Sequence, residues 1–125
     1  MNIFQAFETT IPCAGAGQSG TGYYVEFSDG TSREATPAEI LTATKFAAVA
    51  SNRTECSRRI YARYPAGRQS SVALGIYSGA EAEAQAQIMK DWISDMVAAE
   101  NTAADAIEAA TTVQEVEAVT VAWPV

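Results

Sequence analysis

Three candidate capping boxes of Ser/Thr-x-x-Glu form punctuate this chain ahead of helix-like patterns, at Thr36–Glu39, Ser78–Glu81 and Thr112–Glu115. In such a capping box the hydroxyl accepts from the backbone N–H three residues on, and the carboxylate accepts from the N–H of the cap. Each box therefore marks where a helix begins. Thr36-Pro37-Ala38-Glu39 is the strongest, because Pro37 falls at the first helical position, where a missing N–H costs nothing. Tyr64-Pro65-Ala66-Gly67 is the matching stop, since the residue before a proline disfavours helix. One long helix over 36–64 is expected, with Val49, Cys56, Ile60 and Tyr64 near one face and Ser51-Asn52 as its candidate break.

Ser78–Glu81 opens a second long helix. Ile88, Trp92, Met96, Ala99, Ala103 and Ile107 recur at spacings of three and four, which predicts a packed stripe. The alanines at 98, 99, 103, 104, 106, 109 and 110 suggest close helix contact. Between the long helices, residues 68–77 are expected to form one or two helical turns around Val72, Leu74 and Ile76. The third box predicts a short helix to about Val119, followed by the tail V-A-W-P-V.

The N-terminal third reads differently. Residues 2–10 form a short helix with Ile3, Phe4 and Phe7 on one face, ended by Pro12. The glycine-rich stretch 14–22 reads as a flexible link. Tyr23, Val25 and Phe27 then alternate as in a half-buried strand. Asp29-Gly30 fits a two-residue type I′ turn leading to a partner strand at 31–34. Two strands alone are marginal in water, so this hairpin must lie on a helix or join strands of another chain.

The expected fold is α+β, mostly α. A short N-terminal helix and β-hairpin precede two long helices packed antiparallel and a short C-terminal helix. At 125 residues and 13.2 kDa a single domain is expected. Within it, residues 1–35 hold the short helix, glycine-rich link and hairpin, and 36–125 the helical region. A chain of this size buries roughly two thirds of its unfolded surface.

The net charge of −7 is unevenly spread. Residues 1–32 hold three acids and no base, 33–79 seven bases and three acids, and 80–125 nine acids and one base. That polarity suits a complementary contact within the fold or between subunits. It disfavours an exposed nucleic-acid surface, which needs a net basic face.

The chain has no histidine, which removes Ser-His-Asp and Cys-His nucleophile systems and the commonest metal ligand. Cys13 and Cys56 have no paired spacing and read as ordinary reduced residues. Gly15-Ala-Gly17-Gln-Ser-Gly20 matches G-x-G-x-x-G, but the dinucleotide fingerprint needs a strand before it and a helix after it. The carboxylate pairs Glu81/Glu83, Asp91/Asp95 and Glu115/Glu117 read as solvated acids on helices. Neither an enzyme nor a cofactor is therefore expected. Residues 1–20 lack a basic segment followed by a long apolar run, and no stretch approaches the roughly 20 apolar residues of a membrane span. The expectation is assembly in a cytoplasm without a membrane partner.

Arg53, Arg58, Arg59, Arg63 and Arg68 crowd a short segment interleaved with Tyr61 and Tyr64, with Tyr77 beyond. Arg59 and Arg63 are one turn apart and repel unless acids lie nearby. Glu55 and the acids of the second long helix are candidate partners. Two readings remain open: an intramolecular ion-pair network, or an interface rich in arginine and tyrosine.

Two parts of the chain carry a resemblance. G-Y-Y-V-E-F-S-D-G-T followed by T-P-A-E, after a short helix ending near a proline, is similar to small bacteriophage tail-region proteins, including the XkdW-like group of defective prophages. E-C-S-R-R-I-Y-A-R-Y-P through M-K-D-W-I-S-D-M, with a tail ending W-P-V, resembles the C-terminal part of tail-fibre-associated proteins. In those, C-x-x-R-I, Y-P and a downstream Trp recur. The resemblance implies a structural tail component, in the baseplate or fibre region of a virion and assembled in the host cytoplasm. It would act through contacts with other tail or fibre proteins in a homo- or hetero-oligomer. Arg58, Arg59, Tyr61, Arg63, Tyr64 and Trp92 are its candidate interface residues. A fibre assembly chaperone absent from the finished virion is the first alternative. A small regulatory or nucleic-acid-binding protein using the arginines is the second.

Overall fold

The structure, a computed structural model, describes residues 1–76 and 78–125. The fold is α+β and mostly α. In order it comprises α1 (Ile3–Thr10), β1 (Gly15–Ser19), β2 (Gly22–Glu26), β3 (Ser32–Glu34), α2 (Pro37–Arg63), α3 (Ala66–Ala73), α4 (Ala80–Ala109) and α5 (Val113–Ala118). The chain clusters into two compact units, Met1–Ser51 with Ala103–Thr120, and Asn52–Thr102 with Val121–Val125.

In the first unit, α1 begins with a capping box absent from the sequence reading. Asn2 accepts from the Gln5 N–H at 2.9 Å, and Gln5 accepts from the Asn2 N–H at 3.0 Å. The buried side of α1, Ala6 and Phe7, packs on Val25 of the sheet, and Phe7 meets Tyr23 at 5.5 Å between ring centres. A helix thus covers the sheet, as a small antiparallel sheet requires.

The sheet has three strands in the order β1-β2-β3, all antiparallel. The glycine-rich stretch is therefore not a flexible link: its first part is β1, paired from Gly15↔Glu26 to Ser19↔Gly22. Gly20-Thr21 closes that hairpin, and of the two only Gly20 has positive φ (61°), the signature of a type II′ turn. Composition misleads here because register, not propensity, holds β1: Tyr24 lies over Gly17, so closely that a Cβ there would sit 2.5 Å from the ring. The second turn also departs from expectation. Only Gly30 has positive φ (87°), so it is not type I′. Gly30 N–H closes it onto the Phe27 carbonyl, and Asp29 accepts from the backbone N–H and hydroxyl of Thr31. Those two bonds hold the Asp29 carboxyl below its ordinary pKa.

The Thr36–Glu39 box forms as expected. Thr36 accepts from the Glu39 N–H at 3.2 Å, and Glu39 accepts from the Thr36 N–H at 2.9 Å. Arg33 adds a bidentate pair to the same carboxylate at 2.7 and 2.9 Å, and these contacts bring the Glu39 pKa down to about 2. α2 continues to Arg63 with no break at Ser51-Asn52. Its first half is apolar on two sides: Ile40, Ala43 and Ala47 face the α1–sheet core, while Leu41, Ala48 and Val49 pack with Ile107, Ala110 and Val116. Thr112 accepts from the Glu115 N–H at 3.1 Å to start α5. The Glu115 carboxylate bonds Thr111 rather than the Thr112 N–H, so the third box is only half formed.

In the second unit, α4 starts at Ala80, one residue later than its box implies, after Gly79 with φ 98°. Along α4 the buried stripe keeps Met96, Ala103 and Ile107 but takes Met89 in place of Ile88, which is half exposed. Of the seven alanines named above only Ala103 and Ala110 are buried, so the others serve helix formation rather than close contact. α3 starts at Ala66, immediately after Pro65, and buries Val72 alone. Leu74 (77% exposed) and Ile76 (64%) project into solvent. Tyr77 lies outside the described residues. α2 and α4 run antiparallel in each unit, with Lys45 bonding the Glu108 carbonyl in the first and Arg53 pairing with Glu100 in the second.

Candidate arginine–tryptophan interface

The last turns of α2 place Cys56 and Ile60 one turn apart, and both are buried with Met96. Trp92 and Met96 are likewise one turn apart on α4. The segment Val121–Val125 closes the cluster by laying Trp123 against it. This hydrophobic floor comes entirely from helix periodicity plus the returning tail. Cys56 is a free thiol whose pKa is pushed up by burial first and by Glu100 second, so it is a packed residue and a poor nucleophile.

Arg59 and Arg63 flank the buried stripe, and their guanidinium groups lie on the aromatic rings. Arg63 sits 4.5 Å above Trp92 and 5.7 Å from Tyr64, and Arg59 sits 5.2 Å above Trp123. Tyr64 meets Trp92 edge-on at 5.7 Å, and its carbonyl accepts from Gln69 at 2.6 Å, which holds the chain after the helix end. A cation over an aromatic face gains about 0.5–1 kcal/mol at an exposed site. The Trp92 Nε1–H is buried with no acceptor among the described residues, and an indole nitrogen can only donate.

Glu55 organises the cations. It takes Nε and a terminal nitrogen of Arg58 at 2.8 and 2.7 Å, and Nε of Arg59 at 2.7 Å. Hydrogen bonds from Arg58, then Arg59, hold its pKa down to about 2. One carboxylate therefore serves two arginines. Arg63 meets no Asp or Glu side chain among the described residues; one terminal nitrogen reaches the Val125 main-chain oxygen at 3.4 Å. Arg58, Arg59 and Arg63 line an open cleft of about 370 Å³, and among the described residues Glu55 is the acidic side chain bonded to them, through Arg58 and Arg59. Trp92, Met96 and Pro124 form its apolar lining.

Five of the six residues singled out from sequence come together here: Arg58, Arg59, Arg63, Tyr64 and Trp92. Tyr61 does not. It lies five residues past Cys56, about 140° round the helix, and is 54% exposed away from the rings. Trp123 and Pro124 were missed. The signal available for them was the apolar character of V-A-W-P-V, since a tryptophan is rarely left in water without a partner. Asp91 and Asp95 are exposed, and Asp91 accepts from Gln87 at 2.7 Å. The G-x-G-x-x-G glycines belong to the β1–β2 hairpin, with no helix following them. Among the described residues no cluster of three or more His, Cys, Asp or Glu could hold a metal, and no helix is long and apolar enough to cross a membrane.

No protein-family model matches the chain, and neither curated proteins nor solved structures match it.

Proposed function

We propose that this chain is a structural component of a bacteriophage tail, in the baseplate or fibre region, working through protein–protein contacts rather than catalysis. One observation carries the reading: the separated positions that bear the resemblance, Cys56, Arg59, Ile60, Tyr64, Trp92 and Trp123, meet in one cluster. The recurrent C-x-x-R-I, Y-P and downstream Trp, joined here by Trp123 of the tail, then form a packing unit that holds arginines at the surface. Arginine with aromatic neighbours is the composition favoured at interface centres. Its partners in this reading are other tail or fibre proteins, met during assembly in the host cytoplasm.

The test is peptide mass spectrometry on purified particles of the phage or prophage that encodes the chain. A fixed ratio to other tail proteins is the expected result. Absence from particles, with abundance in the lysate, refutes a virion role and points to an assembly chaperone or a regulator.

A further inference from the structure

The cleft at Arg59, Arg63 and Trp92 has unused binding capacity of one chemical kind. Among the described residues Arg63 has a planar fork of donors with no Asp or Glu side chain on it, one nitrogen reaching the Val125 main-chain oxygen, and Arg59 commits its Nε alone. Both guanidinium groups are pre-oriented by the rings beneath them, so little side-chain freedom remains to be lost when an anion arrives. The lining between them is apolar. A ligand that fits presents a carboxylate next to an aliphatic group.

The distribution of charge selects the source of that carboxylate. The unit formed by Met1–Ser51 and Ala103–Thr120 holds two bases and nine acids, the whole net charge of −7. The unit carrying the cleft holds six of each and is neutral. A polyanion tracking along the protein meets one small cationic cleft on a chain that is otherwise acidic, which opposes nucleic acid. A cleft of about 370 Å³ has room for one or two side chains and none for a backbone-following stripe of phosphates. We infer that the cleft is a docking site for an acidic segment of a partner protein. A Glu or Asp carboxylate sits across the free donors of Arg59 and Arg63, and an adjacent aliphatic side chain rests on Trp92 and Pro124. This rests on the protein–protein reading above and names the chemistry of the partner.

The experiment uses the full chain and a fluorescein-labelled ten-residue peptide alternating Glu and Leu, read by anisotropy. The tryptophan emission of Trp92 and Trp123 is followed in parallel with the unlabelled peptide. The expected result is saturable binding that shifts the tryptophan emission, weakens with added salt, and falls about tenfold or more in Arg63→Glu. Arg63→Gln, which removes the charge but keeps a polar side chain, should lose nearly as much with unchanged helicity by circular dichroism, while Lys90→Ala should bind as the parent does. Equal binding of a Gln/Leu peptide, binding by Arg63→Glu or Arg63→Gln as tight as the parent's, tighter binding of a ten-nucleotide thymidine strand, or no binding each overturns the inference. Failure here leaves the particle result standing, because presence in virions does not depend on this cleft.

Discussion

Gly17→Ala tests the register of β1 most directly. Gly17 sits in β1 opposite Tyr24 with φ outside the left-handed region, so alanine suits its backbone. On unfolded-state entropy alone the substitution should stabilise by about 0.4–1 kcal/mol. Its Cβ, however, would lie 2.5 Å from both Cζ and Oη of Tyr24 and 2.9 Å from Cε1. These are the far end of a side chain, so the ring swings off the strand rather than the backbone yielding. Uncovering about 40 Å² of apolar surface costs about 1 kcal/mol, in line with the upper range for a cross-strand pair. The net expectation is a loss of about 0–0.6 kcal/mol. In a Tyr24→Ala background the clash is gone, and the same change should stabilise by about 0.4–1 kcal/mol. The assay is urea denaturation followed at 222 nm on the four chains of the cycle, with hydrogen exchange at the β1 amides as the local readout. A coupling below about 0.3 kcal/mol, with the same sign in both backgrounds, would refute the placement of the ring over Gly17.

Glu39 gives a pH prediction. Its folded pKa is depressed to about 2, so its stabilisation is fully present above the ordinary carboxylate pKa and fades as pH falls from about 4.5 to 2. Glu39→Gln should lower Tm at neutral pH, and the gap should close across that window; a constant gap down to pH 2 would count against the Arg33 and Thr36 contacts. Phe7→Ala removes a side chain with no solvent exposure and should cost about 3–5 kcal/mol in urea titrations. Trp92→Phe deletes a buried donor with no acceptor among the described residues, which offsets lost ring area, so it should cost within about 1 kcal/mol, against about 3 for Trp92→Ala. Equal losses for the two would mean that the indole N–H has a partner.

The helix limits were legible because their causes are local. Pro37, the Thr36–Glu39 reciprocity and Pro65 act within four residues of chain, and α2 begins and ends where they place it. The strand β1 was not legible. Gly-Ala-Gly-Gln-Ser has low strand propensity, and only pairing with β2 and the Tyr24 ring holds it. The α4 stripe was half legible: Met96, Ala103 and Ile107 were placed correctly. Ile88 and Met89 are adjacent in sequence, so periodicity alone could not say which one the neighbouring helices would cover. At the candidate site, spacing brought Arg59, Arg63 and Trp92 into consideration. It could not show that Glu55 serves Arg58 and Arg59 together and leaves Arg63 to the rings.

Sequence alone determined where α2 starts and stops, that the charge is polarised along the chain, and that no histidine chemistry is available. These are properties of neighbours in the chain, or of counting. Tertiary structure decided which arginine keeps free donors, where Trp123 goes, and that a glycine-rich segment is a strand. Each depends on groups tens of residues apart meeting at a few ångströms. The strength of hydrogen bonds, ring contacts and ion pairs is set by that separation and by the water excluded around it.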